Sequence, residues 1–314
     1  MKTNLLITGG LGYIGSFTSK KIYKKKKKKT LVIDNLSRGN SFAKKYSKNN
    51  QLDISNKKVI KILINNRIET ILHLAALTCV RESIIKKKKY SQNYKSQIKF
   101  IKNLRKTNVR YFIFSSSLSV FEKNKFKTNP SPYSMYKLKI EKYLQKISSQ
   151  NFKVIILRYP NTIGSDPLGK LGEKNNFITR IVPLFYKNLI KKKNNILFYD
   201  YINKEFPYRN YMHVNDIASI NLKIIENLKT FKKNYYIFNI RNKKQYSNFQ
   251  VLNVLSKILK LKPHYNLKQI NKKESIIQSF KFKDDIFKFI KYKPKYIDLK
   301  KILKTNIKWF KKIY

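Results

Sequence analysis

Short apolar runs alternate along this chain with longer stretches of helical spacing. The runs Leu5 to Thr8, Leu31 to Asp34, Thr70 to Leu74, Tyr111 to Ser115 and Val154 to Arg158 are apolar at nearly every position. Each is too short for a buried helix, so they read as strands covered on both faces. Strands separated by helical segments predict an α/β chain built on a doubly wound parallel sheet. Ligands in such sheets bind beyond the carboxyl ends of the strands. After Arg158 the pattern becomes irregular, and Pro160, Gly164, Pro167, Gly169 and Gly172 crowd into a short stretch that predicts a functional loop and a boundary. The expected division is a first domain over 1–160 and a smaller C-terminal domain over 161–314. A later run, Tyr235 to Ile240, is a candidate to rejoin the first sheet.

Four of the chain's 8 glycines, Gly9, Gly10, Gly12 and Gly15, follow the first strand directly. In a chain so poor in glycine this predicts a tight turn into a helix N-terminus, where backbone N–H groups can approach a pyrophosphate. Asp34 ends the second strand about 20 residues further on, where an acidic side chain meets the ribose hydroxyls of a bound dinucleotide. The pair of signals marks the first domain as a Rossmann domain and favours NAD over NADP. Arg38, close by, is a cation that a 2′-phosphate could use instead.

Composition changes the picture less than its size suggests. Lys and Arg total 71 against 16 Asp and Glu, a formal net charge of +55. A nucleic-acid binder concentrates such charge on one face or arm. Here lysine is scattered through every segment beside abundant Ile, Asn, Tyr and Phe, the set whose codons are richest in A and T. The run Lys24 to Lys29 falls at the expected end of the first helix, where cations suit the negative dipole end. No specific nucleic-acid partner is expected. The single cysteine, Cys79, excludes an internal disulfide and fits a reducing compartment. No apolar stretch reaches the roughly 20 residues of a membrane span, so a cytoplasmic location and no membrane partner are expected. No metal is expected either.

The candidate chemistry lies after the fourth run. Ser115, Ser116 and Ser117 end that strand, and Ser131-Pro132-Tyr133-Ser134-Met135-Tyr136-Lys137 follows some sixteen residues on. Tyr133 and Lys137 are four apart and share one helical face. An ammonium beside a phenol favours the phenolate, which is what a general base acting on a sugar hydroxyl needs. A strand-end serine can share that proton. Tyr-x-x-x-Lys is common by chance in so Tyr- and Lys-rich a chain; its order after the glycine loop, Asp34 and the serines makes it specific.

These stretches, with Leu52-Asp53-Ile54, His73-Leu74-Ala75-Ala76, Leu157-Arg158-Tyr159 with Asn161, and Arg209 to Asp216, resemble the extended short-chain dehydrogenase/reductases, and most closely the UDP-glucose 4-epimerase family, over nearly the full length. The resemblance implies a bound NAD, reduced and reoxidised within each turnover, and C4 epimerisation of a UDP-sugar. It makes Ser117, Tyr133 and Lys137 catalytic. It places Gly9, Gly12, Tyr13, Ile14, Gly15, Asp34, Asn35, Asp53, Ile54, Ala75 and Asn93 around the cofactor, with Tyr133 and Lys137. Asn161, Asn176, Arg209 and Lys272 would hold the nucleotide diphosphate, and Ser279 would leave room for an N-acetyl group on the sugar. A homodimer through the helices near 93–108 and 133–149 is also implied.

The chain departs from that pattern at several positions. Thr78 stands where the epimerases commonly carry a lysine touching the cofactor, and Ser96 replaces a glycine. Pro160 replaces an aromatic, Asn210 an aspartate and Lys272 an arginine. His73 and His213 read as packing or hydrogen-bonding groups. Two other functions compete. A sugar-nucleotide 4,6-dehydratase needs an acidic pair after the strand-end serine, where this chain has Leu118 and Ser119. A catalytically decayed, basic RNA-binding or scaffold protein would not be expected to keep the whole constellation.

Overall fold

The computed structural model describes residues 4–39, 41–123, 131–174, 180–201, 204–269 and 285–314. The first half runs β1 (Leu5–Thr8), α1 (Tyr13–Lys26), β2 (Thr30–Ile33), β3 (Ser47–Asn50), α2 (Lys58–Asn65), β4 (Thr70–His73), α3 (Val80–Ile85), α4 (Lys87–Asn103), β5 (Tyr111–Ser117), α5 (Pro132–Ile147) and β6 (Lys153–Tyr159). The second continues with β7 (Asn161–Ile163), α6 (Ile181–Ile190), β8 (Asn195–Tyr199), β9 (Tyr208–His213), α7 (Val214–Glu226), β10 (Tyr235–Asn239), β11 (Gln245–Ser247), α8 (Asn248–Leu259), β12 (Tyr265–Gln269), α9 (Asp285–Phe289) and α10 (Leu299–Ile313).

Seven strands form one parallel sheet in the order β10-β6-β5-β4-β1-β2-β3. The run 235–239 does return to it, pairing along β6 from Tyr235 opposite Val154 to Asn239 opposite Arg158. Because strand side chains alternate faces, each apolar run serves two cores. Ile7, Ile113, Ile155 and Leu157 pack with Phe17 of α1 and Ile217 of α7 on one face. Leu6, Phe112, Phe114, Val154 and Ile156 pack with Phe100 of α4 and Ile140 of α5 on the other. That division explains why these strands are apolar continuously rather than alternately.

The remaining elements form a second layer. β11, β9 and β7 make a small sheet, and β12 pairs with β8. Their core gathers Phe185, Leu197, Val251 and Trp309, all at most 1% exposed. Buried polar contacts sew the halves together: Tyr159 donates to Asn221 at 2.6 Å, and Asn221 donates to Thr18 at 3.2 Å. Lys20 of α1 forms an ion pair with Asp166. Among the described residues no helix is long and apolar enough to cross a membrane.

Candidate active site

A cleft of about 760 Å³ opens along the carboxyl ends of β1, β4, β5 and β6. Its floor is the glycine loop. Gly9 has φ of +67°, a left-handed conformation that favours glycine, and a Cβ there would lie 2.7 Å from the Ala75 nitrogen. At Gly15 a Cβ would fall 2.3 Å from the Gly9 carbonyl oxygen, so the helix can start this close to the turn only without a side chain. α1 begins with no side-chain cap and no acidic residue in its first turn. Its first N–H groups and positive end are therefore left for an anion, and Gly12, Tyr13, Ile14 and Gly15 all line the cleft there. These features fit a dinucleotide pyrophosphate.

Asp34 is buried and accepts hydrogen bonds from Leu11 N at 2.9 Å and Leu36 N at 2.8 Å. It braces the glycine loop from below. Burial raises its carboxyl above the ordinary value, with the backbone N–H groups opposing. Asn35 donates to Asp53 at 2.9 Å, Ala75 N donates to Thr8, and Asn93 accepts from Leu77 N at 3.2 Å. Ile54 is buried in the apolar core behind β2. None of these six residues is among those lining the cleft, which is formed by other side chains. Arg38 is engaged by Glu82, whose carboxyl burial would raise but hydrogen bonds from Arg38, Lys89 and Tyr90 hold at about 2.

The wall opposite carries the catalytic candidates. Ser131 caps α5, its hydroxyl accepting from Ser134 N at 3.2 Å, and Pro132 occupies the first helical turn. Tyr133 and Lys137 then lie on the buried face, 8% and 3% exposed, and both line the cleft with Ser117. Lys137 donates to the Ser115 carbonyl at 2.6 Å and lies 4.5 Å from the centre of the Phe114 ring. Burial lowers its ammonium to about 7, with Glu141 opposing. Ser117 ends β5 and its oxygen accepts from Ser119 N at 3.2 Å, which leaves its O–H to donate elsewhere. Leu118 lines the cleft immediately after it and brings no carboxylate.

Asn161 of β7 and Arg209 of β9 face the same cleft from the second layer. Asn210 also lines the cleft, but its side chain exchanges hydrogen bonds of 2.7 Å with the Asn242 backbone in both directions. Asn176, Lys272 and Ser279 lie outside the described residues. His73 is buried among Phe100, Phe112 and Phe114 and bonded to Thr8 at 2.8 Å, while His213 caps α7 and meets Thr305 at 3.0 Å. Burial lowers both imidazoles to about 3, so both are neutral packing groups.

Two charged pairs were invisible to sequence reading. Glu141, 2% exposed, is one turn beyond Lys137 and receives Arg158 on both oxygens, at 3.0 and 2.5 Å, together with Ser116. It thereby fixes α5 to β5 and β6. Glu173 pairs with Arg180 at 2.9 Å in the cleft wall, and Arg180 also reaches Thr78, the position lacking the expected lysine. With only 16 acidic residues against 71 basic ones, the scarcity of carboxylates was the one signal available, and it does not say which of them are buried.

The family model for the NAD dependent epimerase/dehydratase family matches residues 5–240. The chain is 28% identical over 282 residues to the UDP-glucose 4-epimerase of Yersinia enterocolitica, covering 81% of this chain and 82% of that one. It is 27% identical over 322 residues to that of Lacticaseibacillus casei, covering 97% and 96%. Among solved structures, the UDP-Glc/GlcNAc 4-epimerase of Campylobacter jejuni aligns with a TM-score of 0.79 at 26% identity, covering 98% and 99%. The Bifidobacterium longum UDP-glucose 4-epimerase, in complex with NAD+ and UDP, shares the fold at a TM-score of 0.86, 23% identity and 98% coverage of both chains. A match over this span, on a chain whose glycine loop and Tyr-Lys helix share one cleft, places the protein in the NAD dependent epimerase/dehydratase family.

Proposed function

We propose that this protein inverts C4 of a UDP-sugar. The observation that carries the reading is the convergence of Ser117, Tyr133 and Lys137 on one cleft with the α1 N-terminus. Bound NAD supplies a hydride acceptor that also returns the hydride. Tyr133 takes the proton from the sugar O4 and later gives it back, with Ser117 sharing it. Lys137 stabilises the phenolate, and the Ser115 carbonyl holds its ammonium in place. Gly12 to Gly15 bind the cofactor pyrophosphate, Asp34 and Asn35 orient the adenosine side, and Asn161 and Arg209 receive the substrate diphosphate. Asp53, Ile54, Ala75 and Asn93 support that cofactor site.

The sugars proposed are UDP-glucose and UDP-galactose, together with their N-acetylated counterparts. The small Ser279 and the name of the Campylobacter relative favour the wider range. The elimination reading has no support at Leu118, where a dehydratase needs an acid. A cytoplasmic homodimer is part of the proposal, with α4 and α5 presenting half-buried Tyr94 and Tyr136, stacked 4.8 Å apart, at the shared face. The test is to incubate the protein with UDP-hexoses and UDP-N-acetylhexosamines and follow C4 inversion by NMR. Tyr133→Phe should lose on the order of a hundredfold or more in rate while still binding UDP. A Tyr133→Phe enzyme near full activity overturns the mechanism.

A further inference from the structure

Arg180 immediately precedes α6 in the second layer, and its side chain crosses the cleft toward the cofactor half. Nε meets Glu173 Oε1 at 2.9 Å, Nη1 meets the Thr162 carbonyl at 3.3 Å, and Nη2 meets Thr78 Oγ1 at 3.4 Å. The guanidinium carbon is 6.0 Å from the centre of the Tyr13 ring, at the first residue of α1. Arg180 therefore shares the cleft with the glycine loop, on the side of the Tyr13 ring. Arg209 occupies a different wall, on β9.

A guanidinium used only for folding would have its fork filled at ordinary distances. Here one edge is held firmly by Glu173, while the two Nη contacts are longer than the usual 2.7–3.2 Å for N–H···O. The side chain keeps 34% of its surface, and that surface borders the cleft. Glu173 is in turn fixed by its backbone: its carbonyl accepts from Trp309 Nε1 at 2.7 Å, and Gly172 lies so close to the Trp309 ring that a Cβ would fall 2.3 Å away. The carboxylate is an anchored partner that aims the guanidinium. A planar fork with donors turned to a cleft matches the oxygens of a diphosphate.

We propose that Arg180 is a positioning residue that grips a diphosphate from the substrate side of the cleft, with Glu173 orienting it and Thr78 marking where its outer edge rests. The proposal deepens the nucleotide-sugar reading and rests on it. Two diphosphates enter such a cleft, one in the dinucleotide and one in the nucleotide sugar, and both offer the same chemistry.

The experiment uses NAD-loaded protein, titrated with UDP by calorimetry, with the retained dinucleotide quantified after release. Arg180→Gln should weaken UDP binding about tenfold or more, the loss expected for charge-assisted hydrogen bonds. Arg180→Lys should fall between, keeping charge without the fork. Glu173→Gln should weaken UDP binding less than Arg180→Gln does, because the amide oxygen can still accept from Arg180 Nε while the guanidinium keeps its charge. Arg180→Gln with Thr78→Lys should regain part of the loss, since position 78 can bring an ammonium to the same place. Loss of retained NAD in Arg180→Gln, with UDP binding restored by added NAD, assigns the grip to the dinucleotide. Equal loss of UDP binding in Arg180→Gln and Glu173→Gln, tracking a fall in melting temperature, identifies a purely structural ion pair and overturns the proposal. Unchanged UDP and NAD binding in Arg180→Gln also overturns it. Wild-type protein that neither retains dinucleotide nor binds UDP overturns the proposed function itself, and the grip with it.

Discussion

Glu141→Gln isolates the charge that seats the catalytic helix. The carboxylate is 2% exposed and its partner Arg158 has a side chain 13% exposed, so the variant leaves a buried guanidinium without a counter-charge. Breaking such a pair costs about 3–5 kcal/mol, and the remaining Gln carbonyl, which still accepts one N–H, puts the effect near about 3 kcal/mol. An unfolding entropy of about 2.1 cal/mol/K per residue over 314 residues gives about 0.7 kcal/mol/K. The melting temperature should therefore fall by roughly 4–5 °C, measured by scanning calorimetry at neutral pH. Epimerisation should fall as well, because Ser116 and Arg158 register α5, and so Tyr133 and Lys137, against β5 and β6. Glu141→Met combined with Arg158→Met should recover most of the lost stability, since neither charge then remains buried. A Glu141→Gln protein melting within about 1 °C of wild type refutes the argument.

Other outcomes follow from the same structure. Gly12→Val should abolish NAD retention, because the side chain occupies the approach to the α1 N-terminus; a variant co-purifying with full NAD would refute the loop assignment. His73 and His213 have folded values of about 3 against an ordinary 6.5, so the unfolded chain takes up protons that the folded chain refuses. Stability is fully present above about 6.5 and is lost as pH falls toward 3; imidazole resonances of these two residues that shift between pH 8 and 5 would contradict this. Sedimentation at micromolar concentration should show a dimer, and a purely monomeric protein rejects the α4–α5 interface. Binding to RNA or DNA should be weak and fall steeply between about 50 and 200 mM salt, as counterion release requires; tight binding to one sequence at physiological salt would restore a nucleic-acid role.

The strands that build the two main cores were legible because each carries consecutive apolar residues. β3 was not: Ser47-Lys48-Asn49-Asn50 is polar and joins the sheet only as an edge partner of β2. The glycine loop and the Tyr133–Lys137 face were legible because turn chemistry and helical spacing are local. Arg180 was not, because its meaning comes from Glu173, Thr162 and Thr78, which only the folded chain assembles. One arginine among 71 basic residues carries no signal of its own. Asn210, read in the sequence as a departure from the family's aspartate, has its side chain committed to the Asn242 backbone, a partnership the sequence does not show.

The contact between Thr18 of α1 and Asn221 of α7 spans 203 residues. During synthesis at about 5–20 residues per second, the apolar flank of α1 emerges from the ribosome roughly ten to forty seconds before its cover exists. β10 follows β6 by about 80 residues, so the β6 edge in turn waits unpaired for roughly four to sixteen seconds. For part of that time the nascent chain carries an open parallel edge and a bare helix face together, and a formal net charge of +55 on the full chain opposes the approach of a second copy.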